Sequence, residues 1–343
     1  MGARESLLAR AIWFGRARAV EIRDSSVAPP ESGEVRVRTI ASALSHGTER
    51  LVYRGEVAPD MPLDLPTLAG SFAFPIKYGY AAVGRVIDVG PDVTTHAPGD
   101  LVFALHPHQT IFTLPATLAV RLPPDLDPLR AVFYANLETA VNVALDTPLH
   151  FGESAVIFGQ GVVGLLIAQV LRLAGARRVF AVEPSPHRQT LSRLIDVDAT
   201  FDPDADLPSR VRAANDGRAP DVVIEASGAP AALQAAIDLV AQDGTVVVAS
   251  WYGTKPVTLT LGGHFHRGRV RIRSSQVGQL NPELGARWDR ARRSATVIDL
   301  LPRLRLTELI THRIPFEDAA EAYRLLDERG GETGQIVLLY DQE

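Results

Sequence analysis

The chain has 343 residues, 46% of them hydrophobic and 22% charged, with a formal net charge of −5. That is enough for two domains with separate cores, and it is neither a disordered composition nor one that predicts a nucleic-acid or anionic-membrane surface. There is no cysteine, which excludes disulfides, thiolate nucleophiles and Cys-ligated zinc.

The N-terminus carries an early carboxylate and no long apolar core, so no signal peptide is expected. No run approaches ~20 apolar residues, so neither is a membrane span. The expectation is a cytoplasmic protein.

The first third reads as β. Glu34–Ile40 alternates apolar and polar residues with period two, as a half-buried strand does. Ala81–Gly90 is a second strand ended by Gly90-Pro91. After the turn Pro98-Gly99-Asp100 comes a third, Leu101–Leu105. Recurrent prolines punctuate short strands here rather than helices, so residues 1–126 read as a mostly β domain.

From 127 the pattern changes. Pro128–Leu145 has helical spacing. Then apolar runs alternate with amphipathic stretches: strand Ser154–Phe158, helix Val162–Leu173 closed by Gly175, strand Arg178–Glu183, helix Pro186–Leu194. Strands follow at Asp221–Ala226, Thr245–Ala249 and Val270–Ser274, with a helix at Pro230–Ala241. Such alternation means βαβ units and a doubly wound parallel sheet, an α/β fold, over 127–280. In the last part, 281–343, Phe316, Ala319, Ala320, Tyr323 and Leu326 share a helical face, and Gln335–Tyr340 reads as a closing strand. The Arg-rich pieces Arg267–Arg273 and Arg287–Arg293 read as solvated faces.

Gly159-Gln160-Gly161-Val162-Val163-Gly164 is Gly-x-Gly-x-x-Gly between a strand and a helix, the context in which that motif binds a dinucleotide. Gly159 permits the tight turn, Gly161 lets the backbone approach a pyrophosphate, and Gly164 allows the helix to pack closely on the strand. The helix N-terminus offers N–H groups and positive dipole to the anion. Glu183 ends the next strand, nineteen residues after Gly164, where an acid hydrogen-bonds the adenosine ribose. A carboxylate there repels a 2′-phosphate and favours NAD. Ser185, His187 and Arg188 just downstream keep NADP open.

These residues, with Gly79–Gly90, Pro98–Val102, Val223–Gly228 and Pro315–Ala322, make nearly the whole chain resemble a medium-chain dehydrogenase/reductase of the zinc alcohol dehydrogenase superfamily. Gly47–Gly55 with Gly79-Tyr80 resembles the branch that contains the hydroxyethyl-bacteriochlorophyllide dehydrogenase. The resemblance implies a chaperonin-10-like (GroES-like) β-barrel catalytic domain completed by the C-terminal segment. It also implies nicotinamide held between the domains, and a homodimer formed near Val270–Ser275. Ser227 and Trp251 are taken as further cofactor contacts.

In members with catalytic zinc, the stretch at residues 46–49 reads Cys-x-Thr/Ser-Asp, followed by Gly-His-Glu and a third ligand before the nucleotide domain. Here the positions hold His46-Gly47-Thr48-Glu49, Gly79-Tyr80-Ala81 and, for the third ligand, Glu138. A phenol must ionise near pKa ~10 to bind zinc, and His with Glu falls short of three good ligands, so catalytic zinc is not expected. Protein groups must then handle the proton on a substrate oxygen. Tyr80 and His46 are the candidates, with Thr48 relaying a proton, Glu49 orienting its neighbours, and Glu138 lining the pocket, acting as a buried base or pairing with an arginine.

The two histidines of His106-Pro107-His108-Gln109 could form a metal pair or line a loop. His264, His266 and Arg267 are weaker pocket candidates. The expected activity is zinc-independent, NAD(P)-dependent hydride transfer between nicotinamide and an alcohol/ketone pair. The alternatives are a quinone or enone reductase, or a catalytically silent nucleotide-binding protein.

Overall fold

The computed structural model describes residues 5–63, 65–195 and 197–341. These form two compact units. The first holds the chain up to Ala135 together with Ile310–Gly330 and the stretch from Gln335 onward; the second holds Asn136–Leu309 and Gly331–Gly334. Among the described residues no helix is long and apolar enough to cross a membrane.

The first unit opens with an antiparallel pair, β1 (Leu7–Arg16) and β2 (Ala19–Val27), which the sequence pattern does not resolve. β3 (Glu34–Ala43) follows, then β4 (Ala82–Val89), β5 (Leu101–Ala104), β6 (Ile111–Pro115) and β7 (Ala119–Arg121). β3 pairs antiparallel with both β4 and β6. Its Val35, Val37, Ala41 and Ala43 are buried, as its alternation requires.

The second unit is a parallel sheet of β8 (Ser154–Phe158), β9 (Arg178–Val182), β10 (Ala199–Phe201), β11 (Val222–Glu225), β12 (Thr245–Val248) and β13 (Arg271–Ser274). Their order across the sheet is β10-β9-β8-β11-β12-β13. This is the doubly wound arrangement, with its direction reversing between β8 and β11. Right-handed crossovers then place helices on both faces. β8 is buried at every residue, which explains its unbroken apolar run.

β14 (Ile310–Pro315) and β15 (Gln335–Leu339) return to the first unit, where β15 pairs antiparallel with β3. The contact boundaries differ from those read in the sequence: residues 127–135 go with the first unit, and residues 281–309 stay with the second. The second difference has a visible cause. Arg293, buried on helix Arg290–Leu300, donates to Asn142 Oδ1 at 2.6 Å and Glu138 Oε1 at 2.9 Å on helix Tyr134–Asp146.

Two other expectations change in detail. The helical run at Pro128–Leu145 is two helices, Pro128–Ala131 and Tyr134–Asp146. In helix Ala319–Glu328, Ala319, Ala322, Tyr323 and Leu326 are buried and Ala320 faces out, because the i, i+3, i+4, i+7 stripe runs through 322 rather than 320. Tyr323 sits at the centre of this unit's core, edge-on to Phe14 with ring centroids 5.1 Å apart and stacked on Tyr53 at 5.6 Å. Each such aromatic contact is worth ~0.5–1.5 kcal/mol beyond the buried area.

His106 and His108 follow β5 but do not face a shared metal. His106 stacks on Phe112, centroids 3.9 Å apart, with Nδ1 2.9 Å from Pro107 O, while His108 turns to other partners. Burial pushes the His106 imidazole down to about 3. In the folded protein it stays neutral, whereas in the unfolded chain it takes a proton near pH ~6.5. The stability it contributes is therefore complete above pH ~6.5 and is lost as pH falls from there toward 3, by up to ~1.4 kcal/mol per pH unit for one proton. Thermal midpoints measured from pH 7 to pH 4 are expected to fall less steeply in His106→Asn than in the unmodified chain.

Candidate functional site

The candidate functional groups of the first unit gather around one buried carboxylate. β3 ends at Ala43, and after Leu44-Ser45-His46-Gly47 the chain turns into helix Thr48–Arg54, closed by Gly55 at φ +71°. The sequence reading placed no helix here. The helix brings Glu49 inward in its first turn, where it is fully buried.

A buried carboxylate persists only when its oxygens are hydrogen-bonded. Oε1 of Glu49 accepts the Ser45 backbone N–H at 3.0 Å. Oε2 accepts the Tyr323 hydroxyl at 2.5 Å and lies 3.0 Å from His108 Nε2. On its other side His108 Nδ1 is 2.7 Å from Ser42 Oγ, which is 2.8 Å from Tyr340 Oη. One orientation serves every group: Tyr340 donates to Ser42, Ser42 to His108 Nδ1, and His108 Nε2–H to Glu49. Burial first, and the Glu49 charge second, hold the Tyr323 phenol well above its ordinary range.

The expected proton-handling residues sit at the border of this network. Tyr80 is half-buried, and its hydroxyl donates to Ser45 Oγ. Its ring meets Tyr78 edge-on at 6.2 Å. His46 and Thr48, also half-buried, flank the exposed Gly47. Glu49 lies behind them, hydrogen-bonded to Ser45, His108 and Tyr323. Its pairing with His108 and Tyr323 is not visible in the sequence, since they lie 59 and 274 residues away.

In the second unit the glycine turn has the geometry its motif requires. Gly159 has φ +91°, and a Cβ there would lie 2.7 Å from Ser227 Cα; one on Gly164 would lie 2.0 Å from Gly159 O. Neither position tolerates a side chain. Gly161 differs. It caps helix Val162–Leu173, no side chain caps that end, and the nearest atom to a Cβ built on it is Arg188 Nη1 at 3.9 Å. That leaves an open approach to the first-turn N–H groups beside a guanidinium, which fits a pyrophosphate.

Gln160 serves the turn itself. Its backbone N–H donates to Glu183 Oε2 at 2.8 Å, and its buried side chain lies between Gly159 O and the Ser192 hydroxyl. Val162 packs inside and Val163 is half-buried. The other oxygen of Glu183 accepts the Ser185 N–H at 2.9 Å, so the carboxylate is fixed in place with lone pairs remaining for ribose hydroxyls. Burial lowers the Arg188 guanidinium from its ordinary range, and the nearby Glu183 charge opposes that.

At the carboxyl end of β11 the structure adds a residue the sequence reading passed over. Glu225, fully buried, accepts from the Ser227 N–H and hydroxyl at 2.7 and 2.6 Å, and its second oxygen accepts from Tyr252 at 2.6 Å. It thereby sets the exposed Ser227 beside the glycine turn. Trp251, next to Tyr252, is 41% exposed. His264 is fastened by Nε2 to Val240 O at 2.7 Å, and His266 and Arg267 are exposed.

The positions implied as zinc ligands hold a poor donor set. The Tyr80 hydroxyl donates to Ser45 Oγ. Glu138 lies in the second unit, paired there with Arg293 at 2.9 Å, which realises the ion-pair alternative. Among the described residues no group of three or more His, Cys, Asp or Glu could hold a metal ion. A phenol engaged as a donor and a carboxylate paired with a guanidinium do not fit zinc.

Residues 162–292 match the family model described as zinc-binding dehydrogenase. The chain is 27% identical over 325 residues to the D-guloside 3-dehydrogenase of Escherichia coli K12, covering 89% of this chain and 91% of that one. It is 26% identical over 353 residues to the L-threonine 3-dehydrogenase of Pyrococcus abyssi, covering 93% and 94%. The 2R,3R-butanediol dehydrogenase structure from Bacillus subtilis superposes with TM-score 0.82 at 19% identity, covering 97% and all of the respective chains, a likeness of fold. With the doubly wound sheet and the glycine turn, these matches make the chain a homologue of the medium-chain dehydrogenase/reductases, its nucleotide-binding part of the zinc-binding dehydrogenase type.

Proposed function

We propose that the chain is an NAD-dependent oxidoreductase acting on an alcohol/ketone pair, with protein hydroxyl and imidazole groups in place of zinc at the substrate oxygen. The observation that carries this reading is the combination of a glycine turn open at Gly161 beside Arg188 with a Tyr80 hydroxyl engaged by Ser45. The relatives' names support the substrate class. D-guloside oxidised at position 3, threonine oxidised at position 3 and the butanediol of a further relative's name, (R,R)-butanediol dehydrogenase, each present a secondary alcohol.

When bound, NAD supplies the hydride acceptor for alcohol oxidation. The chain's part is to hold it and to manage the proton. The turn from Gly159 to Gly164 and Arg188 would take the pyrophosphate, Glu183 the adenosine ribose, and Ser227 and Trp251 would contact the remainder. Tyr80 orients the alcohol oxygen and, with His46 and Thr48, carries its proton away; in the reverse direction the same groups return a proton to the ketone oxygen.

With NAD and 2,3-butanediol as probe, turnover is expected to survive dialysis against a strong chelator. Tyr80→Phe and His46→Ala are expected to lower kcat by ~100-fold or more. Reduction of 2-cyclohexenone without any alcohol oxidation would establish the enone-reductase alternative, and tight NADH binding without turnover of either probe would establish the silent one.

Dissociation constants from fluorescence titration are expected to favour NADH over NADPH by roughly tenfold, about 1.4 kcal/mol. Glu183→Ala should narrow that gap, because the carboxylate repels a 2′-phosphate. Tighter NADPH binding would assign the Arg188 side of the turn to that phosphate instead.

A homodimer formed along β13 completes the reading. β13 is the last strand of its sheet, and its Ile272 is 38% exposed, an edge suited to pairing with a copy of itself. Ile272→Glu is expected to shift the species seen in sedimentation from dimer to monomer.

A further inference from the structure

We infer that Ser45 is a positioning residue for the reaction: its backbone is tied to the buried Glu49, and its hydroxyl, as acceptor, fixes the Tyr80 phenol in its working orientation. The assignment rests on the role of Tyr80 proposed above. It names a residue that neither the motif nor the ligand positions single out.

The Tyr80 hydroxyl donates to Ser45 Oγ. Ser45 is 7% exposed, and its backbone N–H is tied to Glu49 Oε1 at 3.0 Å, which fixes the backbone that carries this hydroxyl. The other end of the pair rests on the same support. Gly79, immediately before Tyr80, has φ +129°, and a Cβ there would lie 2.6 Å from both Cδ2 and Nε2 of the His108 ring. The backbone entering Tyr80 therefore lies directly on the imidazole that contacts Glu49 at 3.0 Å.

Both hydroxyls are thus referenced to one buried pair, one through a backbone amide and one through a glycine packed on a ring. That pair is in turn fixed by Tyr323 at 2.5 Å and by Ser42 at 2.7 Å. A half-exposed phenol alone would sample several orientations. An acceptor in a fixed place selects one of them and accepts the phenol's proton-bearing hydrogen bond between turnovers, a preorganisation of the kind that raises turnover without tightening binding.

Ser45→Ala removes the hydroxyl and leaves the amide bond to Glu49. The experiment is a double-mutant cycle on the full chain with NAD and 2,3-butanediol. Ser45→Ala is expected to lower kcat by ~10-fold while leaving KM for both reactants within ~2-fold. Added to Tyr80→Phe it is expected to cost nothing further, because it acts through the phenol. Wild-type kcat in Ser45→Ala with a strong loss in Tyr80→Phe overturns the Ser45 assignment alone, as do losses that multiply in the double variant. Wild-type kcat in Tyr80→Phe overturns the proposed role of the phenol as well. Thermal unfolding is followed in parallel. Should Ser45→Ala fail to fold, Ser45→Cys, close in volume and weak as an acceptor, carries the same cycle with the same expected result.

Discussion

The first unit is arranged around a charge that has no access to water. Glu49 is wholly buried, and removing one partner from a buried charge costs ~3–5 kcal/mol. Its three donors come from separate places in the chain: the amide of Ser45 just before its own helix, the imidazole of His108 after β5, and the hydroxyl of Tyr323 on a helix near the C-terminus. Satisfying one carboxylate thus requires three segments to meet. The returning β15 against β3 and the helix Ala319–Glu328 make that meeting possible.

In the second unit the equivalent constraint is steric. The glycine turn works because two of its positions have no room for a side chain, while the third faces open space. Two buried carboxylates, Glu183 and Glu225, then stabilise the turn's surroundings by accepting backbone amides at the ends of β9 and β11. Both strands end on the same edge of the parallel sheet, where an open α/β sheet takes its ligand. The nucleotide-binding chemistry is therefore local, assembled from strand ends and the loops that leave them.

The same contrast explains what could be read beforehand. The turn at Gly159, Gly161 and Gly164 and the place of Glu183 at the end of β9 were legible because they depend on spacing within a single βαβ unit, and spacing is a property of sequence. The strands β3, β4, β5 and β8 were legible from periodicity. Helix Thr48–Arg54 was not. It is only seven residues long, too short to show an amphipathic repeat or to form on propensity. It exists because Leu51, Val52 and Tyr53 bury into the core and Gly55 ends it. The pairing of Glu138 with Arg293 was not legible either, because only the fold brings the two together.

By itself, then, the sequence determined the α/β class, the glycine turn and the acid that follows it, and the resemblance it carries pointed to the residues around 46–49 and 79–80. Those features are local, set by backbone conformation and side-chain period. Tertiary structure alone decided which groups share a proton or a charge: Glu49 with His108 and Tyr323, Ser45 with Tyr80, Glu225 with Tyr252. The reason is physical. A buried polar group must be satisfied by whatever the fold brings within ~3 Å, and nothing in the linear order of residues states which distant donor that will be.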